Sequence, residues 1–115
     1  MAPIKNTTRR TVISKHCVIC RSHWRKARGL MFTLSIKEPL LFFFEKEKRW
    51  GLHMLFVFYP IDVIFLDKDR KVVDIKEDFA PFSFYTLKKP CLYIIEGPIG
   101  MVKNSRTSLG DRIEF

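Results

Sequence analysis

The chain has 115 residues, about the size of one domain, and a domain of this size can bury a core without disulfides or a structural metal. Apolar residues make up 47% of the composition and aromatic residues 14%, which places the chain among soluble globular proteins and predicts a Phe-rich core. The net charge of +9 comes from residues 1–37, which contain basic residues but no acidic one.

Neither a membrane-spanning segment nor a signal peptide is predicted. Pro60 and Asp62 interrupt the longest apolar run before it reaches about 18 residues, the length that a membrane helix needs. Residues 1–16 are polar and basic and lack the apolar stretch of a secretory signal. We therefore expect a cytoplasmic protein with reduced cysteine thiols and no membrane association.

Short strands follow one another along most of the chain, at spacings typical of a sandwich or barrel. In chain order they are predicted at Thr11–Cys20, Leu40–Phe44, Trp50–Tyr59, Ile61–Leu66, Val72–Ile75, Cys91–Glu96 and Arg112–Phe115. Short helical segments are predicted at Ser22–Arg28, which ends at Gly29, and at Met101–Ser105. The remaining charged or Pro-containing segments, Glu45–Arg49, Asp67–Arg70 and Lys76–Lys89, are predicted to be turns or loops.

These elements predict a mainly β fold, a small barrel or barrel-like antiparallel sheet with one or two short helices. Closure into a barrel is favoured because it removes exposed strand edges in a chain so rich in Phe. Residues 1–10 are expected to be a flexible basic N-terminus, and residues 11–115 a single β-rich domain.

Six segments that occur in a fixed order carry a resemblance to a known family. They are RGLMF (Arg28–Phe32), LLFFF (Leu40–Phe44), HMLFVFYPIDVIFLD (His53–Asp67), VVDI (Val72–Ile75), YIIEGPIG (Tyr93–Gly100) and LGDRIEF (Leu109–Phe115). Over about residues 12–115 the chain resembles the family called domain of unknown function 192, and it looks most like the archaeal members. The resemblance implies a compact, mostly β domain with short helices, and it implies no established activity, cofactor or catalytic residue.

One segment departs from the usual pattern of that family. Where the usual relatives read FWMKNT-xxPLD, this chain reads LHMLFVFYPID, so the polar Lys-Asn-Thr stretch is replaced by Leu55, Phe56 and Val57. Any ligand contact that the polar stretch makes in relatives is not expected here.

His53 and Asp62 are polar residues inside an apolar segment. A buried carboxylate is costly unless it is paired, so Asp62 is expected to accept a hydrogen bond from a backbone N–H near Pro60 or to pair with Arg28. The simpler interpretation is a structural Asp that fixes a strand end. The alternative is a pocket in which Arg28, His53 and Asp62 bind a small polar or anionic ligand. A non-catalytic binding or accessory domain with such a pocket is our first functional hypothesis.

The basic N-terminal third supports a second hypothesis, a nucleic-acid-binding accessory protein. Single-stranded nucleic acid is bound by cations that contact phosphates and by aromatic rings that stack on bases. The residues that would do so here are Arg9, Arg10, Arg21, Trp24, Arg25 and Lys26. The spacing matches no named motif, and a solvated basic face without a specific partner is the more ordinary interpretation.

Cys17 and Cys20 have a spacing that also occurs in zinc and redox sites, which gives a third and weaker hypothesis, a zinc- or thiol-dependent activity. On one strand, however, side chains three residues apart point to opposite faces, so the two thiols would not share a metal. Buried, unreactive cysteines are the default expectation. We predict no metal site, no cofactor and no catalytic residue, since the sequence contains no nucleophile elbow, P-loop or dinucleotide-binding motif.

Overall fold

The computed structural model describes residues 3–21, 38–49, 51–53 and 59–115, and for residues 51–53 it describes the backbone alone. Within these ranges the chain forms strands and one short helix. In chain order they are β1 (Ile4–Asn6), β2 (Thr11–Ser14), β3 (Val18–Cys20), β4 (Leu40–Lys48), β5 (Gly51–His53), β6 (Ile61–Leu66), β7 (Val72–Phe79), β8 (Phe84–Thr86), β9 (Cys91–Gly97), α1 (Met101–Ser105) and β10 (Ile113–Glu114). The predicted mainly β fold and the predicted short helix are confirmed. In the described part of the chain, no helix is long and apolar enough to cross a membrane.

A five-stranded sheet in the order β3-β4-β9-β6-β7 forms the centre of the domain. Its neighbouring strands are antiparallel except for β3, which runs parallel to β4. The sequence IDVIFL of β6 is buried along its whole length, because apolar layers pack on both sides of the sheet. β6 pairs with β9 so that Val63 lies opposite Glu96 and Asp62 lies opposite Gly97.

The two sides of this sheet carry separate apolar cores. Because successive side chains of a strand point to opposite sides, Val63 and Phe65 belong to one core and Ile64 belongs to the other. We call the first side the tyrosine face, because Tyr85 of β8 packs there with its ring centroid 5.7 Å from that of Phe65. We call the second side the helix face, because Met101 of α1 is buried there.

Two smaller sheets cover these faces. The sheet β10-β1-β2 packs on the helix face through Ile4 and Ile113, and the ladder β5-β8 brings Tyr85 onto the tyrosine face. The sequence favoured closure into a barrel, whereas the described strands form three separate sheets. Stacked layers bury the apolar faces here, which is the alternative solution to closure.

Strand boundaries differ from the sequence prediction at three places. The segment Thr11–Cys20, predicted as one strand, is divided between β2 and β3, which belong to different sheets. β4 continues to Lys48, whose backbone pairs with Cys91 although its side chain is exposed. The segment Lys76–Lys89, predicted as a loop, contains the end of β7 and the whole of β8. In each case pairing with a strand distant in sequence decides the boundary, and local composition does not report such pairing.

The first ten residues, which the sequence assigned to a flexible segment, contain β1. This strand lies between β10 and β2, and its Ile4 and Asn6 side chains are buried. The helical turn predicted at Ser22–Arg28 lies outside the described residues. Of the strand predicted at Trp50–Tyr59, the structure describes Gly51–His53 as β5.

A buried carboxylate joins β1 to the turn that precedes β10. Asp111 is 2% exposed, and its Oδ2 accepts hydrogen bonds from Asn6 Nδ2 at 2.9 Å, from Arg9 Nε at 3.0 Å and from the Ser108 backbone N–H at 2.9 Å. Burial alone would raise the pKa of Asp111, but these hydrogen bonds and the charge of Arg9 outweigh burial and hold the pKa below its usual value. The ionised carboxylate therefore stabilises the attachment of the small sheet.

We expect Asp111→Asn to lower the free energy of unfolding by about 2 kcal/mol near neutral pH, because charge-assisted hydrogen bonds are lost in the interior. The folded-state pKa is the lower one, so this stabilisation is present above the unfolded pKa of about 4 and is lost as the pH falls through the folded value. Urea unfolding at neutral and at strongly acidic pH should show a difference between the two proteins that shrinks in acid. The exposed Glu114→Gln is the control, and an equal loss at both pH values would contradict the account.

Candidate functional site

The pairing of β6 with β9 places two acidic side chains at neighbouring positions of the central sheet. Asp62 lies opposite Gly97 and points to the helix face, whereas Glu96 lies opposite Val63 and points to the tyrosine face. Both residues are almost fully buried, with 1% of Asp62 and 6% of Glu96 exposed. Their surroundings nevertheless differ completely.

Asp62 has hydrogen-bond donors for both carboxylate oxygens. Oδ1 accepts from the backbone N–H of Asp78, and Oδ2 accepts from those of Gly100 and Val102, each at 3.1 Å. Gly100 has a φ of 92°, a left-handed conformation that glycine adopts without steric cost and that turns the chain into α1. Asp62 therefore fixes β6 to the end of β7 and to the start of α1. Backbone N–H donors are found, but they belong to Asp78, Gly100 and Val102 and not to the segment beside Pro60 that the sequence indicated. A contact of Asp62 with a ligand stays a prediction.

Glu96 has no comparable set of partners. In the described part of the chain, no hydrogen bond and no ion pair reaches its carboxyl group. Burial raises the pKa of Glu96 from its ordinary value of 4.5 to about 7, because the charged form loses its hydration. Near neutral pH the carboxyl group is therefore present in both its protonated and its ionised form. It can donate a hydrogen bond in the first form and accept hydrogen bonds in both.

Other polar side chains lie on the same face. Asp74 pairs with Phe65 and Lys76 pairs with Val63, so the register places Asp74, Lys76 and Glu96 on one side of the sheet. Glu96 and Lys76 are separated by one strand, which corresponds to about 10 Å between their backbones.

Tyr85 covers this region from β8. Its hydroxyl donates to Asp74 Oδ2 at 2.7 Å, and its ring centroid lies 5.6 Å from Lys76 Nζ. Burial raises the pKa of Tyr85 to about 12, with further contributions from the hydrogen bond to Asp74 and from the charge of Asp74. The phenol therefore remains protonated at physiological pH and acts as a hydrogen-bond donor. We refer to Glu96, Asp74, Lys76 and Tyr85 together as the tyrosine-face cluster.

The two cysteines of the Cys-x-x-Cys segment do not form a common site. Cys17 is buried in the core of the helix face and Cys20 in that of the tyrosine face, so the predicted opposite orientation is confirmed. Burial raises the pKa of the Cys17 thiol, assisted by Glu38 and opposed by the charge of the N-terminus, which reduces the reactive thiolate form. Among the described residues, no group of three or more His, Cys, Asp or Glu side chains is arranged to hold a metal ion.

Several predicted site residues fall outside the described residues, namely Trp24, Arg25, Lys26 and Arg28. Of His53 the structure gives the backbone, which pairs with Phe84 in the β5-β8 ladder. The described residues therefore do not test whether Arg28, His53 and Asp62 lie next to one another. The proposed pocket of these three residues stays a prediction.

The predicted nucleic-acid contacts that are described lie at separate places. Arg9 is committed to Asp111 and also donates from its guanidinium to Ser108 Oγ at 2.7 Å. Arg10 lies in the turn between β1 and β2, and Arg21 lies after β3 with its guanidinium carbon 4.4 Å from the centroid of the Phe43 ring. The nucleic-acid site stays a prediction.

Sequence reasoning did not identify Glu96 as a site residue. The signal was present, since Glu96 ends the apolar strand CLYIIE, but a glutamate at a strand end is ordinarily exposed. The pairing of β9 between β4 and β6 buries it. Asp74, Lys76 and Tyr85 were missed because only the folded structure places them on the same face of the sheet as Glu96.

We expect Asp62→Ala to lower the free energy of unfolding by about 2–4 kcal/mol, because three backbone N–H groups lose their acceptor. The exposed Asp78→Asn is the matched control, since Asn tolerates the positive φ of this position as well as Asp does. Urea unfolding of both variants is the measurement. A loss for Asp62→Ala no larger than that of the control would show that the capping bonds contribute little.

We expect Glu96→Gln to change the pH dependence of stability. The folded-state pKa is the higher one, so the wild-type protein loses stability as the pH rises from about 4.5 to about 7. Glutamine removes this loss, and the variant should equal the wild-type protein in acid and exceed it by about 3 kcal/mol above neutrality. Urea unfolding across this range measures the difference, with the exposed Glu77→Gln as control. A variant that is less stable than wild type above pH 7 would mean that the ionised carboxylate has a stabilising partner.

The chain matches the model of the DUF192 family, described as "Uncharacterized ACR", over residues 4–115. The UPF0127 protein of Thermococcus sibiricus is 37% identical over 112 residues, which cover 96% of this chain and 72% of that protein. The UPF0127 protein of Thermococcus kodakarensis is 39% identical over 93 residues, which cover 79% of this chain and 59% of that protein.

Among solved structures, a protein of unknown function from Novosphingobium aromaticivorans shares the fold with a TM-score of 0.82 at 25% identity, covering 98% of this chain and 82% of that chain. The resemblance seen in the ordered sequence motifs is confirmed by the family match. The chain therefore belongs to the DUF192 family, as an archaeal-type member.

Proposed function

We propose that this protein is a non-catalytic binding or accessory domain whose ligand site lies on the tyrosine face at Glu96. One observation carries the proposal. The Glu96 side chain is almost fully buried, and no hydrogen bond or ion pair joins it to the described residues. Buried polar groups in folded proteins are nearly always hydrogen-bonded, and an isolated one is costly. A bound ligand that donates to the carboxylate would offset the cost of its desolvation.

The chemistry of the tyrosine-face cluster indicates the ligand class. An ionised Glu96 favours an amine, amide or hydroxyl donor, and a protonated Glu96 can itself donate to an acceptor oxygen. Lys76 adds a positive charge, and its Nζ lies near the Tyr85 ring. We therefore propose a small polar ligand with both donor and acceptor groups. An anionic ligand, the other ligand class predicted from the sequence, would depend on Arg28, which lies outside the described residues.

The arrangement favours binding over catalysis. Burial and the hydrogen bond to Asp74 keep Tyr85 protonated, and no described hydrogen bond links Tyr85 to Glu96. A general acid and base that work together need hydrogen-bond reach of the same reacting group. A cytoplasmic location remains a prediction from composition.

Native mass spectrometry of untagged protein, purified without chelator, tests the proposal. We expect the wild-type protein to retain an endogenous small molecule as a defined mass excess, and Glu96→Gln to lose it, because the neutral amide has one acceptor oxygen where the ionised carboxylate has two and carries no charge. The control Glu77→Gln removes one carboxylate from an exposed position of β7 and should retain the mass excess. A wild-type spectrum without excess mass, or an equal excess in Glu96→Gln, would contradict a tight site at Glu96.

A further inference from the structure

We propose that the outer surface of the sheet β10-β1-β2 binds the phosphate backbone of a nucleic-acid strand, with Lys5 and Arg10 as phosphate contacts. This surface is separate from the tyrosine face and goes beyond the proposed ligand site. It contains a groove of about 370 Å³, which we call the β1-β2 groove. The groove is lined by Lys5, Asn6, Thr7, Arg10, Thr11 and Val12.

Lys5 and Arg10 form no ion pair with a carboxylate of the described residues. In the described ranges, the ion pair found is that of Arg9 with Asp111, which leaves Lys5 and Arg10 available. Glu114 is the cross-strand neighbour of Lys5 on β10 and reduces the local charge by one without forming an ion pair.

Further basic residues adjoin the groove through the backbone. Thr11 Oγ1 donates to the carbonyl of Ser105 at 2.7 Å, which brings the exposed Arg106 next to β2. The Thr7 N–H donates to the carbonyl of the exposed Arg112 at 3.0 Å. Two further segments that carry exposed arginines therefore contact the β1-β2 hairpin through their backbones, which adds positive charge near the groove.

Hydrogen bonds of the buried Asn6 side chain hold the base of the groove in place. The buried Asn6 donates to Asp111 Oδ2 at 2.9 Å and to Thr107 Oγ1 at 3.1 Å, and its own Oδ1 accepts from the Arg9 N–H at 3.0 Å. The turn that carries Arg10 is thus fixed at its start. Arg10 itself has a φ of 57°, a left-handed conformation that costs a residue with a Cβ more than it costs glycine. An arginine at this position therefore carries a conformational cost that a functional side chain would offset.

The shape of the surface favours a nucleic-acid strand over a lipid bilayer. The phosphates of a flexible strand can enter a concave groove, whereas the flat surface of a bilayer reaches only the rim. A strand also gains affinity from several phosphate contacts together, because each contact releases condensed counterions. The hydroxyl and amide groups of Thr7 and Asn6 are donors to other protein groups, so the contribution of the groove to binding is mainly electrostatic.

Fluorescence anisotropy of a labelled single-stranded RNA of about 20 nucleotides tests the proposal, with titrations at several salt concentrations between about 50 and 200 mM. We expect wild-type binding to weaken steeply with salt. The double variant Lys5→Gln, Arg10→Gly should bind at least about tenfold more weakly and lower the slope of log affinity against log salt by about 1.4, since two contacts to a single strand are removed. Glycine at position 10 relieves the left-handed backbone, so the urea midpoint should not fall and a binding loss cannot come from unfolding.

Two further variants make the test specific. Lys88→Gln, Lys89→Gln removes two exposed positive charges from the loop between β8 and β9 and should change the affinity less than about twofold. Glu114→Gln should tighten binding, because it removes the carboxylate beside Lys5. An equal loss in the Lys88, Lys89 variant would show non-specific charge attraction and overturn the proposal. Binding to phosphatidylglycerol vesicles that depends on Lys5 and Arg10, with no RNA binding, would assign the surface to a membrane and overturn it as well.

Discussion

The register of β6 against β9 is the constraint on which the rest of the domain depends. β6 is buried along its whole length and β9 over Ile94–Gly97, so a polar side chain in this part of the pair loses most of its hydration. Asp62 and Glu96 occupy neighbouring positions of this pair and point to opposite faces. A shift of one residue would exchange the two faces and place each carboxyl group in the wrong layer.

The helix face satisfies its carboxylate and uses it to organise the chain. Three backbone N–H groups, from the end of β7 and from the start of α1, converge on Asp62. The short helix has no side-chain cap of its own, and Asp62 supplies the acceptor from another strand. The same layer is completed by Asp111, which ties β1 and the turn before β10 together. On this side the buried acidic residues are explained by structure.

The tyrosine face differs because Glu96 lacks such partners among the described residues. Phe65 and Phe79 pack beside Tyr85 and make the layer largely apolar, which raises the pKa of the buried carboxyl group. The helix face gives its buried carboxylate three backbone donors, whereas no described donor reaches the carboxyl group of Glu96. This contrast is the physical basis for the proposed ligand site.

The sequence predicted an element correctly where the residues of that element alone determine its secondary structure. The run Ile61–Leu66 predicted a strand, Cys91–Glu96 predicted another, and Met101–Ser105 predicted the short helix. It did not predict strand boundaries that depend on pairing with distant strands, such as the division of Thr11–Cys20 between two sheets. The same holds for the candidate site. Asp62 was recognised because its neighbours in the sequence are apolar, whereas Glu96 is buried only because β9 pairs with β4 and β6.

A ¹³C NMR titration of the Glu96 carboxyl carbon in the folded protein tests the central claim most directly, with Glu96→Gln used to assign the resonance. The account predicts a midpoint near pH 7, because burial without a stabilising partner disfavours the ionised form. A midpoint at or below 4.5, the ordinary value, would show that the carboxylate is already paired or solvated, and it would remove the reason for placing a ligand there.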